Sequence, residues 1–291
     1  MYVDGKYQKT INTYSKTTKH RVIVFDTWLS AGPHTIKVVN KATPGHPRID
    51  IDAVLTHDTY TTSGPESELY LNASNQRTIS VVQDGETVRS WSTLIPSPSA
   101  AFGIAVGDTV RTASSFGGVE YTLDGTPTGV LFPGWTLPPS MADGTTDGNF
   151  NYSVDFGAGG VYRHELDWSD PTLLFTAGGT RIGITYDPSN KSFWVAEWDE
   201  QEAESTIENF SPDGTLLGAF TVPVEAVMAL AMDYADGTLW FGTQSDLDAP
   251  VRILYQYSRT GLLLNTSAYN GLTNLNYLGG EFAFPGGPGD S

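Results

Sequence analysis

Nine side chains have types and positions suited to binding chemistry: Trp135, Asp143, Asp147, Trp198, Asp199, Glu200, Glu202, Asp246 and Asp248. They fall in three stretches, "GWTLPPSMADGTTDG", "EWDEQEAES" and "QSDLDAP". Each is longer than a tight connection needs, and such excess length is commonly functional. Carboxylates converging with backbone carbonyls suit calcium, which takes about six to eight oxygen ligands. Asp143, Asp147, Asp199, Asp246 and Asp248 are therefore the candidate metal ligands. The sequence holds no full DxDxDG loop, and a solvated acidic rim accounts for the same residues. Trp135 and Trp198, with Glu200, are the candidate ligand contacts, because an exposed indole offers a flat face on which a sugar ring stacks.

Catalytic signals are sparse. GxSxG, HExxH and P-loop patterns are missing from the sequence. His164 lies in "GVYRHEL", alternating with Tyr162 and Leu166, and reads as a satisfied outer-strand histidine rather than a general base. Glu197 and Glu200 would serve as a glycosidase pair only if their carboxyls stood about 5–5.5 Å apart.

The elements that must position these residues repeat. "RTISVVQDGETVRSWSTL", "GGVEYTLDGTPTGVLF", "GGVYRHELDWSDPTLLF", "STIENFSPDGTLLGAF" and "RILYQYSRTGLLLNTS" are five hairpins, each two alternating strands about a turn rich in Asp, Gly, Ser and Pro. Before the hairpins run two further strands, as in "FGIAVGDTVRTASSFG", "IGITYDPSNKSFWVAEW" and "LAMDYADGTLWFGTQ". A repeat of four strands at a period of roughly 40–46 residues predicts a propeller blade.

Four blades read as complete, over about 103–139, 140–179, 180–224 and 225–272. A fifth is split between the hairpin at Arg77–Leu94 and the tail strand "NLNYLGGEFAF". Inserting that tail into the first blade removes two open sheet edges. The expected fold class is all-β, a five-bladed β-propeller over 66–285 with this velcro closure. In a propeller the loops between strands two and three and between blades open on one face. The three stretches above are assigned to that face. A lactonase-type propeller with a central divalent metal is the enzymatic alternative, and its metal would need inward-facing Glu, Asn and Asp. The innermost strands read "GIAV", "GITY" and "LAMD", which disfavours it.

The net charge of −17 is uneven: residues 1–56 hold 8 Lys+Arg against 4 Asp+Glu, and the remainder 8 against 29. An acidic body of this kind disfavours nucleic acid and anionic membrane as partners. No apolar run reaches a membrane-spanning length, and "MYVDGKYQKT" lacks the regions of a signal peptide. The chain has no cysteine, which excludes disulfides and thiol chemistry.

Residues 1–56 alternate strands and turns, followed by a linker at 57–65. "VDGKYQKTINTYS", "LSAGPHTIKVVN" and "IDIDAV" resemble the C-terminal half of a galactose-binding-like jelly roll, a carbohydrate-binding accessory module. A jelly roll takes about eight strands, so the resemblance implies missing upstream strands or an oligomer that supplies them. Trp28 and Tyr14 are read as packing residues, and Asp50 and Asp52 as the solvent face of a strand. "ADGTTDGNFNYSVDFGAGGVYRHELDWSDPTLLF", "GITYDPSNKSFWVAEW" and "YLGGEFAF" resemble the secreted bacterial propellers that often carry a PEP-CTERM sorting tail. The ending "PGGPGDS", over the tail 286–291, lacks that motif. The expectation is a non-catalytic protein, extracellular or on the cell surface, that recognises carbohydrate or another surface polymer. The alternatives are the metal-centred hydrolase or lactonase and a structural component of a surface assembly.

Overall fold

The computed structural model describes residues 1–11, 34–41, 67–73, 77–94, 103–114, 116–134, 140–198, 204–243, 252–269, 272 and 277–285. All regular structure among them is β-strand. The chain divides into two compact units, Met1–Ser63 and Gly64–Ser291.

In the first unit β1 (Tyr2–Val3), β2 (Lys6–Tyr7) and β3 (Ile36–Lys37) form a sheet of order β2-β1-β3. Asp4 and Gly5 take left-handed backbone in the β1–β2 turn. The Asp4 carboxylate accepts the N–H of Thr35 at 2.8 Å and meets His34 Nδ1 at 2.7 Å. That pairing ties the hairpin to a strand thirty residues on. The strands expected over 20–26 and 48–55, with Tyr14, Trp28, Asp50 and Asp52, lie outside the described residues.

The second unit is built of five four-stranded antiparallel sheets among its described residues. Four run in chain order from strand to strand. They are β7 (Gly103–Val106), β8 (Val110–Ala113), β9 (Gly118–Tyr121) and β10 (Pro127–Phe132); β11 (Met141–Thr146), β12 (Asn151–Asp155), β13 (Gly160–His164) and β14 (Thr172–Thr176); β15 (Arg181–Asp187), β16 (Ser192–Glu197), β17 (Ser205–Phe210) and β18 (Leu216–Val222); and β19 (Val227–Asp233), β20 (Thr238–Thr243), β21 (Arg252–Tyr257) and β22 (Leu263–Tyr269). The remaining sheet joins β4 (Leu69–Ala73), β5 (Thr78–Gln83) and β6 (Glu86–Ser92) to the last strand, β23 (Tyr277–Phe282), in the order β23-β4-β5-β6.

The innermost strands neighbour one another in a cycle, β7 to β11 to β15 to β19 to β23 and back to β7. The cycle closes where Phe284 N–H donates to Val106 O at 2.8 Å. Each gap between sheets is filled by its own apolar cluster. Tyr70, Ile79 and Val81 meet Ile104, Val110 and Val119. Phe175 and Val154 meet Ile184 and Phe193, and Leu69 and Phe282 meet Ala231 and Leu254. A strand between two sheets is apolar on both faces, which is why β4, β7 and β19 are buried almost continuously while β6 alternates half-buried with exposed.

The five hairpin turns share a second feature. Gly85, Gly125, Trp168, Gly214 and Gly261 occupy the same turn position, all with φ between 63° and 89°. Each meets an aromatic residue from the outermost strand of the preceding sheet. A Cβ on Gly125 would stand 2.6 Å from the Trp91 ring, on Gly214 2.7 Å from Phe175 Cβ, and on Gly261 2.6 Å from Phe220 Cβ. Trp168 shares a cluster with Phe132, and the Gly85 backbone bonds the Tyr269 hydroxyl. At positions 125, 214 and 261 the glycine therefore makes the turn and also forms a seat for an aromatic side chain of the preceding sheet. Gly261→Ala adds a left-handed Cβ, costing about 1–2 kcal/mol, and overpacks Phe220, costing about 1–3 kcal/mol. Urea denaturation should show their sum as a lower midpoint with an unchanged m-value.

Candidate functional site

Two inner strands carry acids toward the centre of the cycle. Asp143 is the third residue of β11, beyond a β-bulge between Met141 and Asp143, and is fully buried. Its carboxylate accepts the N–H of Gly144 at 2.8 Å and of Ile184 at 3.3 Å, and bonds the backbone of Gly280. Glu281 of β23 is likewise fully buried. Thr185 Oγ1 donates to it at 3.2 and 3.3 Å, the Tyr234 hydroxyl at 3.2 Å and the Phe282 N–H at 3.1 Å, and Thr145 adds a further bond. Burial pushes both carboxyls well above the ordinary carboxylate range, and the Glu281 charge pushes Asp143 further up. Burial and the same glutamate push the Tyr234 phenol up. Glu281 is thus a buried carboxyl among hydroxyls and Asp143 one among backbone N–H groups, and burial favours the neutral form of both.

These positions correct the sequence reading twice. The innermost strands are not uniformly small and apolar, because β11 and β23 place Asp143 and Glu281 among them. Asp143 is also not a loop residue: strand β11 runs through the stretch assigned to the loop face. Asp147 follows at the other end of that strand, in the β11–β12 turn. There it accepts the N–H of Asn149 and Phe150 at 2.9 and 2.8 Å and the Tyr152 hydroxyl at 2.8 Å. Four residue steps along the strand put the two aspartates about 13 Å apart, so they do not converge on one ion. The lone pairs a cation would take from Asp143 already face backbone N–H groups, and the Thr145 and Thr185 hydroxyls accept the N–H of Tyr186 and Met232. Asp143 and Asp147 therefore do not fit a calcium site, and among the described residues no three His, Cys, Asp or Glu gather as one.

Trp198 follows β16 and is half-buried, its ring 4.9 Å from that of Phe156 in the β12–β13 turn. Phe116, in the β8–β9 turn, is 57 % exposed. All three lie on connections between second and third strands, hence at one end of the sheets. Trp135, Asp199, Glu200, Glu202, Asp246 and Asp248 lie outside the described residues. Glu197, the other half of the glycosidase pair, faces Arg181 at 3.9 Å.

His164 is 1 % exposed, with Nε2 2.8 Å from Ser153 Oγ and Nδ1 3.3 Å from Trp168 O. Burial pushes it down to about 4. A buried neutral histidine stabilises fully above its unfolded value near 6.5, and the contribution is lost as pH falls toward 4. His164→Gln should remove this contribution, about 3 kcal/mol, from the pH dependence of the unfolding free energy measured in urea between those pH values.

Glu281, Thr185 and Tyr234 were missed by sequence reasoning. The available signal was a lone charge inside an inner-strand run, "YLGGEFAF".

No family model and no curated protein matches this chain. Among solved structures, a chain in the crystal structure of a nidogen/laminin complex is similar at 13 % identity and a TM-score of 0.51, over 75 % of this chain and 98 % of that one. A Bacteroides caccae protein of unknown function matches at 14 % identity and 0.43, over 71 % and 73 %. Kuenenia stuttgartiensis hydrazine synthase matches at 14 % and 0.40, over 58 % of this chain and 49 % of that one. The first likeness and the sheet cycle make the fold a β-propeller.

Proposed function

We propose that this chain is a five-bladed, non-catalytic recognition propeller, extracellular or at a cell surface, that binds carbohydrate or another surface polymer on its loop face. The observation that carries the reading is the aromatic end of the sheets: Phe116 exposed, and Phe156 and Trp198 half-buried, on successive second-to-third-strand connections. Exposed aromatics at one end favour a ligand that stacks. The first unit, read as half of a galactose-binding-like module, points to the same class of ligand. PEP-CTERM-type propellers are the proposed relatives.

That the similar chain comes from a nidogen/laminin complex supports a second reading, in which the partner is a protein. Fluorescence titration with soluble glycans separates the two. Saturable quenching weakened about tenfold by Trp198→Ala, a loss on the scale of one stacking contact of about 0.5–1.5 kcal/mol, supports the first. Absence of any response across a glycan panel sinks it. Hydrolysis of a glycoside or lactone that stops on changing an inner-strand residue would make the chain an enzyme instead. For calcium the proposal rests on Asp199, Asp246 and Asp248 alone. Binding there should raise the melting temperature in millimolar calcium, and Asp246→Asn with Asp248→Asn should abolish the rise.

A further inference from the structure

Strand β23 closes a sheet whose other strands come from the start of the unit, so whatever holds β23 holds the cycle shut. Glu281 is the one charged residue in that strand. Its side chain reaches beyond its own sheet, to Thr145 of β11, Thr185 of β15 and Tyr234 just after β19. Three sheets therefore bond one carboxyl. Thr145 and Thr185 each already accept a backbone N–H, which leaves a hydroxyl proton for Glu281 and a lone pair that a protonated carboxyl can use.

Among the described residues no partner of Glu281 is a cation, and an ionised carboxylate buried without one is costly. The described residues of the surrounding elements offer none either. From β11 comes Asp143, which is itself an acid; from the end of β19 comes the phenol of Tyr234. Opposite on β4 stands Tyr70, whose hydroxyl bonds Glu68. Strand β7 has no titratable residue. At the ends of β15, Arg181 is engaged by Glu208, and Asp187 by Arg259.

We propose that β23 is a proton-dependent latch: Glu281 docks as the neutral acid and releases its proton to water when the strand leaves the ring. A carboxyl held above its ordinary value of 4.5 in the closed state stabilises that state fully below 4.5, and loses the contribution as pH rises through the closed-state value. Between those limits opening frees one proton, so the opening equilibrium rises about tenfold per pH unit. This sign is opposite to that of His164, which is present in every variant below and cancels in comparison.

The experiment is amide hydrogen exchange at Gly280, Glu281 and Phe282 from pH 5 to 8, with rates divided by their unstructured values. Wild-type protection should fall about tenfold per pH unit over part of this range, Glu281→Gln should remove the slope, and Asp143→Asn should keep it. A flat wild-type profile overturns the latch, as does an equal slope in Glu281→Gln. A slope lost in Asp143→Asn but kept in Glu281→Gln moves the proton to Asp143 and also overturns it. Should Glu281→Gln not fold, the other two profiles decide: a slope in both supports the latch, and a flat profile in either rejects it.

Discussion

A chain ending at Thr273 is expected to aggregate rather than to persist as a monomer. Such a truncation removes β23 and its ladder to β4, from Tyr277 opposite Ala73 to Phe282 opposite Leu69. It also removes Phe282, 4 % exposed and set against Trp240, and Phe284, which packs on Tyr186 and Tyr234. Burying a phenylalanine is worth about 1.5–3 kcal/mol, so two of them amount to a large part of a net stability of about 5–15 kcal/mol. The strand also leaves an open edge on β4, a template for pairing with another chain. Size-exclusion chromatography and calorimetry check this, and a peptide of residues 274–284 should restore a monomer. A truncated monomer with an unchanged melting point would show that the ring is closed by other contacts.

Arg181→Met should cost about 3–5 kcal/mol, the range for breaking a buried ion pair from one side. Arg181 is 4 % exposed at the start of β15. Its guanidinium meets Glu208 of β17 at 2.7 Å and donates to Gly178 O at 2.7 Å and Ala177 O at 3.1 Å. One side chain thus pins the connection from β14 to the third strand of the following sheet. Without it Glu208, largely buried, loses its partner. At about 2–4 °C per kcal/mol for a domain of this size, the drop in melting temperature is measurable. Arg181→Met combined with Glu208→Leu should recover most of the loss, because a buried pair replaced from both sides is often neutral. Glu197→Gln should matter little, since its 3.9 Å contact is partly exposed. Equal losses in the single and double variants would mean that Arg181 acts through its packing and not through its charge.

The repeat of apolar, alternating and turn segments determined by itself that the chain is all-β, where the hairpins lie, and that the tail strand belongs with the first hairpin. These are local properties: period-two alternation and turn chemistry are written residue by residue. Asp143 shows the limit of that reading. Its neighbours "MADGTT" are small and polar, and resemble a loop as well as a strand. Only the pairing of β11 with β12 on one side and the approach of β15 on the other turn it into a buried strand residue, with its lone pairs spent on backbone N–H groups. Glu281 was equally opaque. Its partners lie 47, 96 and 136 positions away, at Tyr234, Thr185 and Thr145, and no local pattern encodes a contact of that range. The glycine seats divide the same way: "DG" and "TG" announce a turn, but the aromatic ring that forbids a Cβ comes from the sheet before. The sequence alone determined which segments pair with their neighbours. The closure of the ring decided which side chains face its centre, because that depends on distant strands meeting in one register.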